Sequence, residues 1–248
     1  MKRPILHLVP HLSGGGMERR MGIIAKNTNN NFPIHIAFIS KGLNYKDIDL
    51  GKAIIHKIEA RNNYDLKILL RLFFLIISLR PKIIQTWSIQ MDILGGFLCF
   101  IFRIKHILME PISPDDDNPK RFDLKIFIKE IFAKNSIIVS NSEIAKLYWN
   151  SRKVRLSLLI RNGFDIKSIK NSKGNPLSKD LEDFLNNSEF LVIASRLSET
   201  SIHKRTELVI STFAKIIKKK PKLKLVICGD GPLSYIYKEL VAKKKIKS

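Results

Sequence analysis

Continuous runs of aliphatic residues recur along the chain and are separated by turn residues or by longer segments of mixed polarity. A continuous apolar run is typical of a strand in a parallel sheet that is buried on both faces, whereas alternation would indicate a half-exposed strand. Seven such runs predict strands at 5–9, 34–39, 54–58, 82–86, 106–109, 136–139 and 157–160.

Apolar residues spaced three or four positions apart fill most of the intervals between these strands. This spacing places the apolar side chains on one face of a helix, so it predicts helices at 17–27, 66–79, 91–103, 122–133 and 142–150. Strands that alternate with helices are typical of a doubly wound α/β domain with a parallel sheet.

The pattern changes after residue 160. Residues 161–165 are followed by a polar stretch, a proline and a short helical segment, so we predict a first domain at 1–165 and a linker at 166–187. A second series then predicts strands at 190–194 and 224–228 and helices at 204–219 and 233–244. Two strands and two helices cannot close a doubly wound sheet, so the second domain, 188–248, is expected to be incomplete.

The 248-residue chain has 44 Lys and Arg against 22 Asp and Glu, which gives a formal net charge of +22. This excess attracts anions such as nucleic acid, anionic lipid or phosphorylated metabolites. The lysines are dispersed and no nucleic-acid recognition motif is present, so we expect no nucleic-acid partner. A bias toward Lys, Asn and Ile across the whole sequence is the simpler explanation of the charge.

Location and redox state follow from a few features. Cys99 and Cys228 both end or occupy apolar runs where buried residues are expected, and their spacing is not that of metal ligands. The N-terminal apolar run is short and lacks a signal-peptide cleavage site, which predicts a cytoplasmic protein.

Two apolar segments, 66–79 and 93–102, invite comparison with membrane spans. Arg71 interrupts the first, and the second is about half of the ~20 residues that a span needs, so core helices packed on a sheet are the favoured interpretation. Arg71, Arg80, Arg103 and Lys105 lie beside these segments and leave open a peripheral contact with an anionic membrane surface.

Three glycines, Gly14, Gly15 and Gly16, follow the first predicted strand and open a helix. Without side chains, they allow an anion or a sugar hydroxyl to approach the backbone N–H groups and the positive end of the helix. A dinucleotide-binding site is disfavoured, because the second strand ends in Ser40-Lys41 instead of an acidic residue. A plain tight turn is the alternative.

In the second domain, Arg196 follows a strand and Lys204 precedes a helix. A guanidinium and an ammonium at one strand–helix crossover suit a diphosphate, although two solvated surface cations would look the same in sequence. The next strand ends in Gly229-Asp230-Gly231-Pro232, which predicts a sharp turn before a helix.

These motifs, taken in order, resemble the family-four retaining glycosyltransferases of the GT-B fold. The resemblance covers nearly the whole chain and rests on Gly14-Gly15-Gly16-Met17-Glu18-Arg19, Gln85-Thr86-Trp87, Asp92-Ile93-Leu94-Gly95-Gly96, Val139-Ser140-Asn141-Ser142-Glu143, Arg161-Asn162-Gly163-Phe164-Asp165, Ser195-Arg196-Leu197 with Lys204, and 225–232. It implies two Rossmann-like doubly wound parallel sheets that face a cleft, the second one incomplete.

The resemblance also implies a function. Such an enzyme moves a sugar from a nucleotide-diphosphate-sugar onto a lipid-linked or polysaccharide acceptor with retention, without a metal cofactor. It would act in surface polysaccharide or lipopolysaccharide biosynthesis at the inner membrane face.

Site residues follow from the same resemblance. Arg196 and Lys204 match the pair that grips the donor diphosphate, Gly15 and Gly16 line the cleft beside it, and Asn162-Gly163 forms the inter-domain hinge. Gly229, Asp230 and Gly231 form the turn on the nucleotide side of the donor. Glu110 stands where the family often has a histidine beside the reacting sugar, which makes it the candidate catalytic residue.

Two departures from the family pattern concern the donor site. Seven residues separate Arg196 from Lys204, so a bend must return Lys204 to the site, which a loop tolerates. The family's paired glutamates, in the later part of the donor domain, have no counterpart before Ser248. The alternative is therefore a truncated, catalytically inactive remnant or a non-catalytic binding module.

Overall fold

The computed structural model describes residues 2–12, 15–28, 30–39, 48–110, 123–164, 166–171, 174, 176–199 and 204–246. The chain divides into two compact units, Met1–Ile166 and Lys167–Ser248, which we call unit 1 and unit 2. Each unit is described separately below.

Unit 1 contains a seven-stranded parallel sheet. Its strands are β1 (Ile5–Val9), β2 (Ile34–Phe38), β3 (Ile54–Lys57), β4 (Ile83–Trp87), β5 (Lys105–Glu110), β6 (Ile137–Ser140) and β7 (Leu156–Leu159). Its helices are α1 (Gly16–Thr28), α2 (Lys67–Leu79), α3 (Ile89–Phe102), α4 (Leu124–Ala133) and α5 (Glu143–Ser151). The predicted strands and helices of the first domain are all present, with bounds that differ by at most a few residues.

The strand order is β3-β2-β1-β4-β5-β6-β7. The order reverses direction between β1 and β4, and in such sheets ligands bind beside the carboxyl ends of the strands at this point. The register pairs Leu8 with Thr86 and Thr86 with Leu108, so these side chains share one face.

The two faces of the sheet are covered by different helices, as right-handed crossovers require. On one face, Met21 of α1 packs with Val9 and Trp87. On the other face, Leu72 of α2 and Leu98 of α3 pack on β1 and β4, and α4 and α5 cover β5 and β6 through residues that include Ala133 and Trp149. The predicted doubly wound fold is confirmed for this unit.

Unit 2 contains a two-stranded parallel sheet, β8-β9. Its elements are α6 (Ile166–Asn171), which begins at the last residue of unit 1, α7 (Lys179–Leu185), β8 (Phe190–Ala194), α8 (Thr206–Ile216), β9 (Lys224–Cys228) and α9 (Ser234–Lys243). The predicted second series of strands and helices is present, and the sheet has the two strands expected. The segment 166–187 carries α6 and α7, and its assignment as a linker stays a prediction.

The two cysteines differ in burial. Cys99 is buried in unit 1, as predicted, and burial raises the pKa of its thiol to about 12. The prediction that Cys228 is buried was wrong, because it ends β9, a strand that the described residues cover only partly. Among the described residues, no helix combines the length and the apolar character that a membrane crossing needs.

Candidate functional site

The N-terminus of α1 lies at the carboxyl edge of the unit 1 sheet, next to the switch point. A side chain on Gly15 would place its Cβ 2.6 Å from Oε2 of Glu18, whose carboxylate is buried and lies 2.8 Å from Nδ1 of His11. Around Gly16, by contrast, no described atom lies within 4 Å of a Cβ position. A side chain at Gly16 would therefore meet no described atom.

Gly15 and Gly16 thus differ in what they do. A side chain on Gly15 would meet the carboxylate of Glu18, whereas a side chain on Gly16 would meet no described atom. Ser13 and Gly14 lie outside the described residues. The roles of Gly15 and Gly16 in diphosphate binding stay a prediction.

The start of α3 is strained. Ser88 follows β4 at the switch point with φ 96, a backbone conformation that residues other than glycine rarely adopt. Its side chain does not cap the helix, and its Oγ is buried without a hydrogen-bond partner among the described residues. Backbone strain of this kind concentrates at functional sites.

A buried aromatic and cationic cluster lies on the α1 side of the same edge. Trp87 Nε1 donates to Nδ1 of His7 over 3.3 Å, and the guanidinium of Arg20 lies 5.9 Å from the centre of the Trp87 ring. Arg20 Nη2 donates to the carbonyl of Ile160 over 3.1 Å. Burial lowers the pKa of His7 to about 4 and also lowers the pKa of Arg20. His7 is therefore neutral near pH 7.

Glu110 is the last residue of β5, and its side chain is buried against α4 and α5. Its Oε2 accepts hydrogen bonds from Lys129 Nζ, at 2.7 Å, and from Trp149 Nε1, at 3.0 Å. Lys129 Nζ also lies 3.1 Å from Oδ2 of Asp92, so one ammonium bridges two carboxylates. All four residues are buried. The catalytic role of Glu110 stays a prediction.

A chain of hydrogen bonds extends this cluster toward the amino-terminal ends of β5 and β6. Thr86 Oγ1 donates to Asp92 Oδ1 over 2.5 Å, and Nε2 of His106 lies 2.9 Å from the same hydroxyl. Nδ1 of His106 lies 2.6 Å from Oγ of Ser136.

Burial governs the titration of these groups. Desolvation raises the pKa of Asp92 and of Glu110 above the usual range, although Lys129 acts in the opposite direction on both. Burial alone would lower the pKa of Lys129, but the two carboxylates outweigh it and raise that pKa. Burial and the charge of Lys129 lower the pKa of His106 to about 4, so its ring is neutral near pH 7.

The sequence analysis did not single out Lys129 or His106. Lys129 lies four residues before the buried Ala133, so the two share the inner face of α4. The sequence hides this, because Lys125 lies on the same side of α4 four residues earlier and is exposed, so the spacing does not tell a buried lysine from a solvated one.

In unit 2, the loops after β8 and β9 lie against each other. Leu197 N donates to the carbonyl of Asp230 over 3.0 Å, and Leu233 N donates to the carbonyl of Leu197 over 2.9 Å. Gly229 has φ 153, and a Cβ on it would lie 1.8 Å from the carbonyl oxygen of Ser195. Only glycine allows this approach.

Gly231 repeats the arrangement. Its φ is 150, and a Cβ on it would lie 2.3 Å from the carbonyl oxygen of Leu197. The predicted turn at Gly229, Asp230 and Gly231 therefore brings two carboxyl ends of strands together. A cavity of about 820 Å³ adjoins both loops and is lined by residues that include Leu197 and Gly229.

The two predicted diphosphate-binding cations are both exposed. Arg196 directly follows the loop residue Ser195 at the end of β8, and Lys204 lies two residues before α8. The segment 200–203 between them lies outside the described residues. Within the part of the chain that the structure describes, neither cation is in an ion pair.

The predicted hinge residues follow β7. Asn162 and Gly163 are exposed, and no described atom lies within 4 Å of a Cβ position on Gly163. They precede the division between the two units by a few residues. Their hinge role stays a prediction.

Unit 1 also has an apolar cavity of about 480 Å³ where α2, α3 and α4 begin. Its lining is mostly aliphatic, with Lys125 and Asp65 at its polar side: Asn63, Tyr64, Asp65, Leu66, Ile68, Leu69, Ile89, Gln90, Ile93, Leu94 and Lys125. No group of three or more His, Cys, Asp or Glu residues within the described ranges is placed to hold a metal ion.

No family model and no curated protein sequence matches the chain. Its structure is similar to solved structures. HepE from Anabaena in complex with UDP-glucose has a TM-score of 0.73 at 18% identity over 99% of this chain and 67% of that one. Sucrose-phosphate synthase from Thermosynechococcus elongatus has a TM-score of 0.71 at 14% identity, over 99% and 68% of the two chains.

A UDP-N-acetylglucosamine 2-epimerase is also similar, with a TM-score of 0.65 at 12% identity, over 100% of this chain and 67% of that one. The chain spans about two thirds of the length of these structures. At such low identity the likeness shows a shared fold. The α/β architecture predicted from the resemblance is the fold of these GT-B structures.

Proposed function

We propose that this chain belongs to an enzyme that transfers a glycosyl group from a nucleoside-diphosphate sugar to an acceptor. The observation that carries the proposal is the exposed Arg196 at the carboxyl end of β8. The backbone on either side of it is held by the close approach of Gly229 to the carbonyl of Ser195 and of Gly231 to the carbonyl of Leu197. HepE, which has a similar fold, binds UDP-glucose. In unit 1, no described atom lies within 4 Å of a Cβ position on Gly16, at the start of α1, which is compatible with a ligand beside that glycine.

In the proposed reaction, the bond between the anomeric carbon and the diphosphate oxygen breaks, and the acceptor oxygen bonds to that carbon. The acceptor proton leaves with the diphosphate. Arg196 and Lys204 neutralise the charge that develops on the leaving group, which is where cationic donors accelerate such a step. With retention, the acceptor enters from the face that the diphosphate leaves.

The finer parts of the proposal come from the sequence resemblance. They are retention, a lipid-linked or polysaccharide acceptor, surface polysaccharide or lipopolysaccharide assembly at the cytoplasmic membrane face, and no metal cofactor. The contacts of Glu110 with Lys129 and Trp149 support a role in holding β5 against α4 and α5.

The test of donor binding is calorimetric titration of the chain with UDP. We expect Arg196→Gln and Lys204→Gln each to weaken binding by about 10-fold to 100-fold, since a charge-assisted hydrogen bond contributes about 1.5–3 kcal/mol. Lys215→Gln, which removes an exposed charge from the last turn of α8, is the matched control and should bind as the unaltered chain does. If Arg196→Gln and Lys204→Gln both bind UDP as tightly as the unaltered chain and the Lys215→Gln control, the donor-site assignment is wrong.

A second candidate function is epimerisation of the sugar within the donor, because the fold is shared with a UDP-N-acetylglucosamine 2-epimerase. The two are separated by incubating the chain with the UDP-sugar with and without an acceptor glycan. A transferase releases UDP in proportion to glycosylated product, whereas an epimerase yields a new UDP-sugar without an acceptor. Binding of UDP with no product in either assay would favour the non-catalytic module.

A further inference from the structure

The outer faces of α2, α3 and α4 in unit 1 are apolar. Nine large side chains, each between 38% and 68% exposed, make up what we call the apolar helical surface: Leu70, Phe74 and Ile77 on α2, Phe97, Phe100 and Ile101 on α3, and Leu124, Phe127 and Ile131 on α4. On each helix the three residues are three, four or seven positions apart or adjacent, so they share one side.

The core does not need these side chains. The inner side of α2 is already filled by Ile68, Leu72 and Ile76, which are buried on the sheet. A helix on the surface of a domain ordinarily has polar residues opposite its buried face. An apolar patch of this extent marks a site of interaction.

Aromatic contacts join the three helices into one layer. The rings of Phe73 and Phe102 lie 5.1 Å apart and link α2 to α3. The rings of Phe97 and Phe132 lie 6.2 Å apart and link α3 to α4. The apolar helical surface is therefore continuous across this side of unit 1.

The charges around this layer are predominantly basic, although the exposed Asp123 caps α4 and the exposed Glu59 lies 3.8 Å from Arg71. Between residues 66 and 110, both acidic residues, Asp92 and Glu110, are buried, and all the basic residues are exposed. The exposed basic residues are Lys67, Arg71, Arg80, Lys82, Arg103 and Lys105. Arg80 and Arg103 are the C-caps of α2 and α3, so two of these cations flank the apolar side chains at one end of the layer.

We propose that the apolar helical surface docks unit 1 on an anionic lipid bilayer. Aliphatic and aromatic side chains beside a predominantly basic rim are typical of such an interface, because the apolar groups enter the acyl boundary and the cations meet lipid headgroups. The helices lie in the interface and do not span it, in agreement with the lengths of the described helices. The proposal rests on the membrane-face part of the proposed function and names the surface involved, whereas donor binding is tested separately by titration with UDP.

The experiment is flotation of the chain with phosphatidylcholine vesicles that contain or lack phosphatidylglycerol. The unaltered chain should float with the anionic vesicles and remain below the neutral ones at physiological salt. A triple variant, Leu70→Gln with Phe74→Gln and Phe100→Gln, should lower the partition coefficient by about 10-fold or more, because three side chains that would enter the acyl boundary become polar.

The matched control is Ile23→Gln with Leu208→Gln and Tyr235→Gln, three exposed apolar positions on α1, α8 and α9. It should float as the unaltered chain does. Circular dichroism of both triple variants checks that the fold is retained, which is expected because all six positions are exposed.

A second triple variant, Lys67→Gln with Arg80→Gln and Arg103→Gln, tests the electrostatic part. It should lower binding to anionic vesicles by about 100-fold at low salt, at about fivefold for each basic residue near the headgroups. Equal flotation of the unaltered chain and both surface variants would overturn the proposal. So would a dimer in light scattering that the apolar variant dissociates, with no vesicle binding by either protein.

Discussion

Units 1 and 2 are built from the same kind of βα segment but differ in how well their strands are covered. In unit 1, β1 lies between two other strands and under helices on both faces, and four of its five residues are buried. In unit 2, the first three of the five residues of β8, Phe190, Leu191 and Val192, are 45–56% exposed. The buried residues of unit 2 in the described part of the chain are Leu197, Thr206, Ile210 and Phe213.

The difference shows that an apolar strand is buried only when neighbouring strands and helices are present to cover it. Two strands leave both edges and most of one face uncovered, so burial of apolar area contributes little to unit 2. Unit 1, in contrast, has enough covered area to bury charged groups as well. The predictions below test this difference, in order of decreasing effect.

The largest effect is expected at the buried ion cluster of unit 1. Lys129→Met leaves the carboxylates of Asp92 and Glu110 in the interior without their cation, and should lower the free energy of unfolding by about 3–5 kcal/mol. Urea denaturation followed by circular dichroism measures it. Lys134→Met, an exposed lysine at the end of the same helix, is the control and should change stability by no more than about 0.5 kcal/mol.

Neutralising the carboxylates sharpens this test. Adding Asp92→Asn and Glu110→Gln to Lys129→Met should recover part of the lost stability, because no unpaired charge then remains buried. If the triple variant is less stable than Lys129→Met, so that the two carboxylate substitutions add to the loss of stability, the cluster does not act as an ion pair.

The next effect is expected in unit 2. Gly229→Ala should destabilise this unit by about 1–3 kcal/mol or more, since the φ of 153 is strained for alanine and the carbonyl of Ser195 must move. Hydrogen exchange should accelerate in β8 and β9 and stay unchanged in β1 and β4. Gly163→Ala is the control, because no described atom lies near its Cβ position; faster exchange throughout unit 1 in Gly229→Ala would mean that the units unfold together.

The effect that is smallest near neutral pH is a pH dependence of unit 1. Burial lowers the pKa of His7 from 6.5 to about 4, so the folded state resists the proton that the unfolded state accepts. Stability is therefore fully present above pH 6.5 and is lost as the pH falls toward 4, by up to about 1.4 kcal/mol per pH unit. The raised pKa values of Asp92 and Glu110 have the opposite effect on the pH dependence of stability, and this effect is the same in the unaltered chain and in the His7 variant described next.

His7→Gln should remove the contribution of His7 to the pH dependence of stability, about 1.4 kcal/mol per pH unit between pH 6.5 and 4. The contribution of His106, whose pKa is also lowered to about 4, remains in the variant. Denaturation of both proteins at a series of pH values measures the difference. Parallel pH profiles would contradict the assignment of a neutral, buried His7.

Much of the fold was predictable from local pattern. The strands and helices of both units follow continuous apolar runs and three-to-four-residue spacing, and the turn at Gly229 and Gly231 has the backbone role that the glycines indicated. The sequence pattern placed Gly15 and Gly16 between the first strand and the start of the first helix, where the structure has them. It did not distinguish Gly15, beside Glu18, from the open position of Gly16.

Other features required long-range contacts. Cys228 ends an apolar run and is exposed, because burial depends on how many strands surround it and not on the run itself. Lys129, Glu110 and Asp92 come from three separate segments, and each alone is an ordinary charged residue in the sequence.

The sequence by itself determined the order of strands and helices, the glycine positions at two strand ends and the excess of positive charge, because these depend on local propensity and composition. The tertiary structure alone decided which charges are buried, which apolar faces remain exposed and which side chains share a proton network. Burial and pairing arise when segments distant in the chain meet. Only the tertiary structure therefore shows that Lys129 is buried while other lysines are exposed, and that Phe74 lies outside the core.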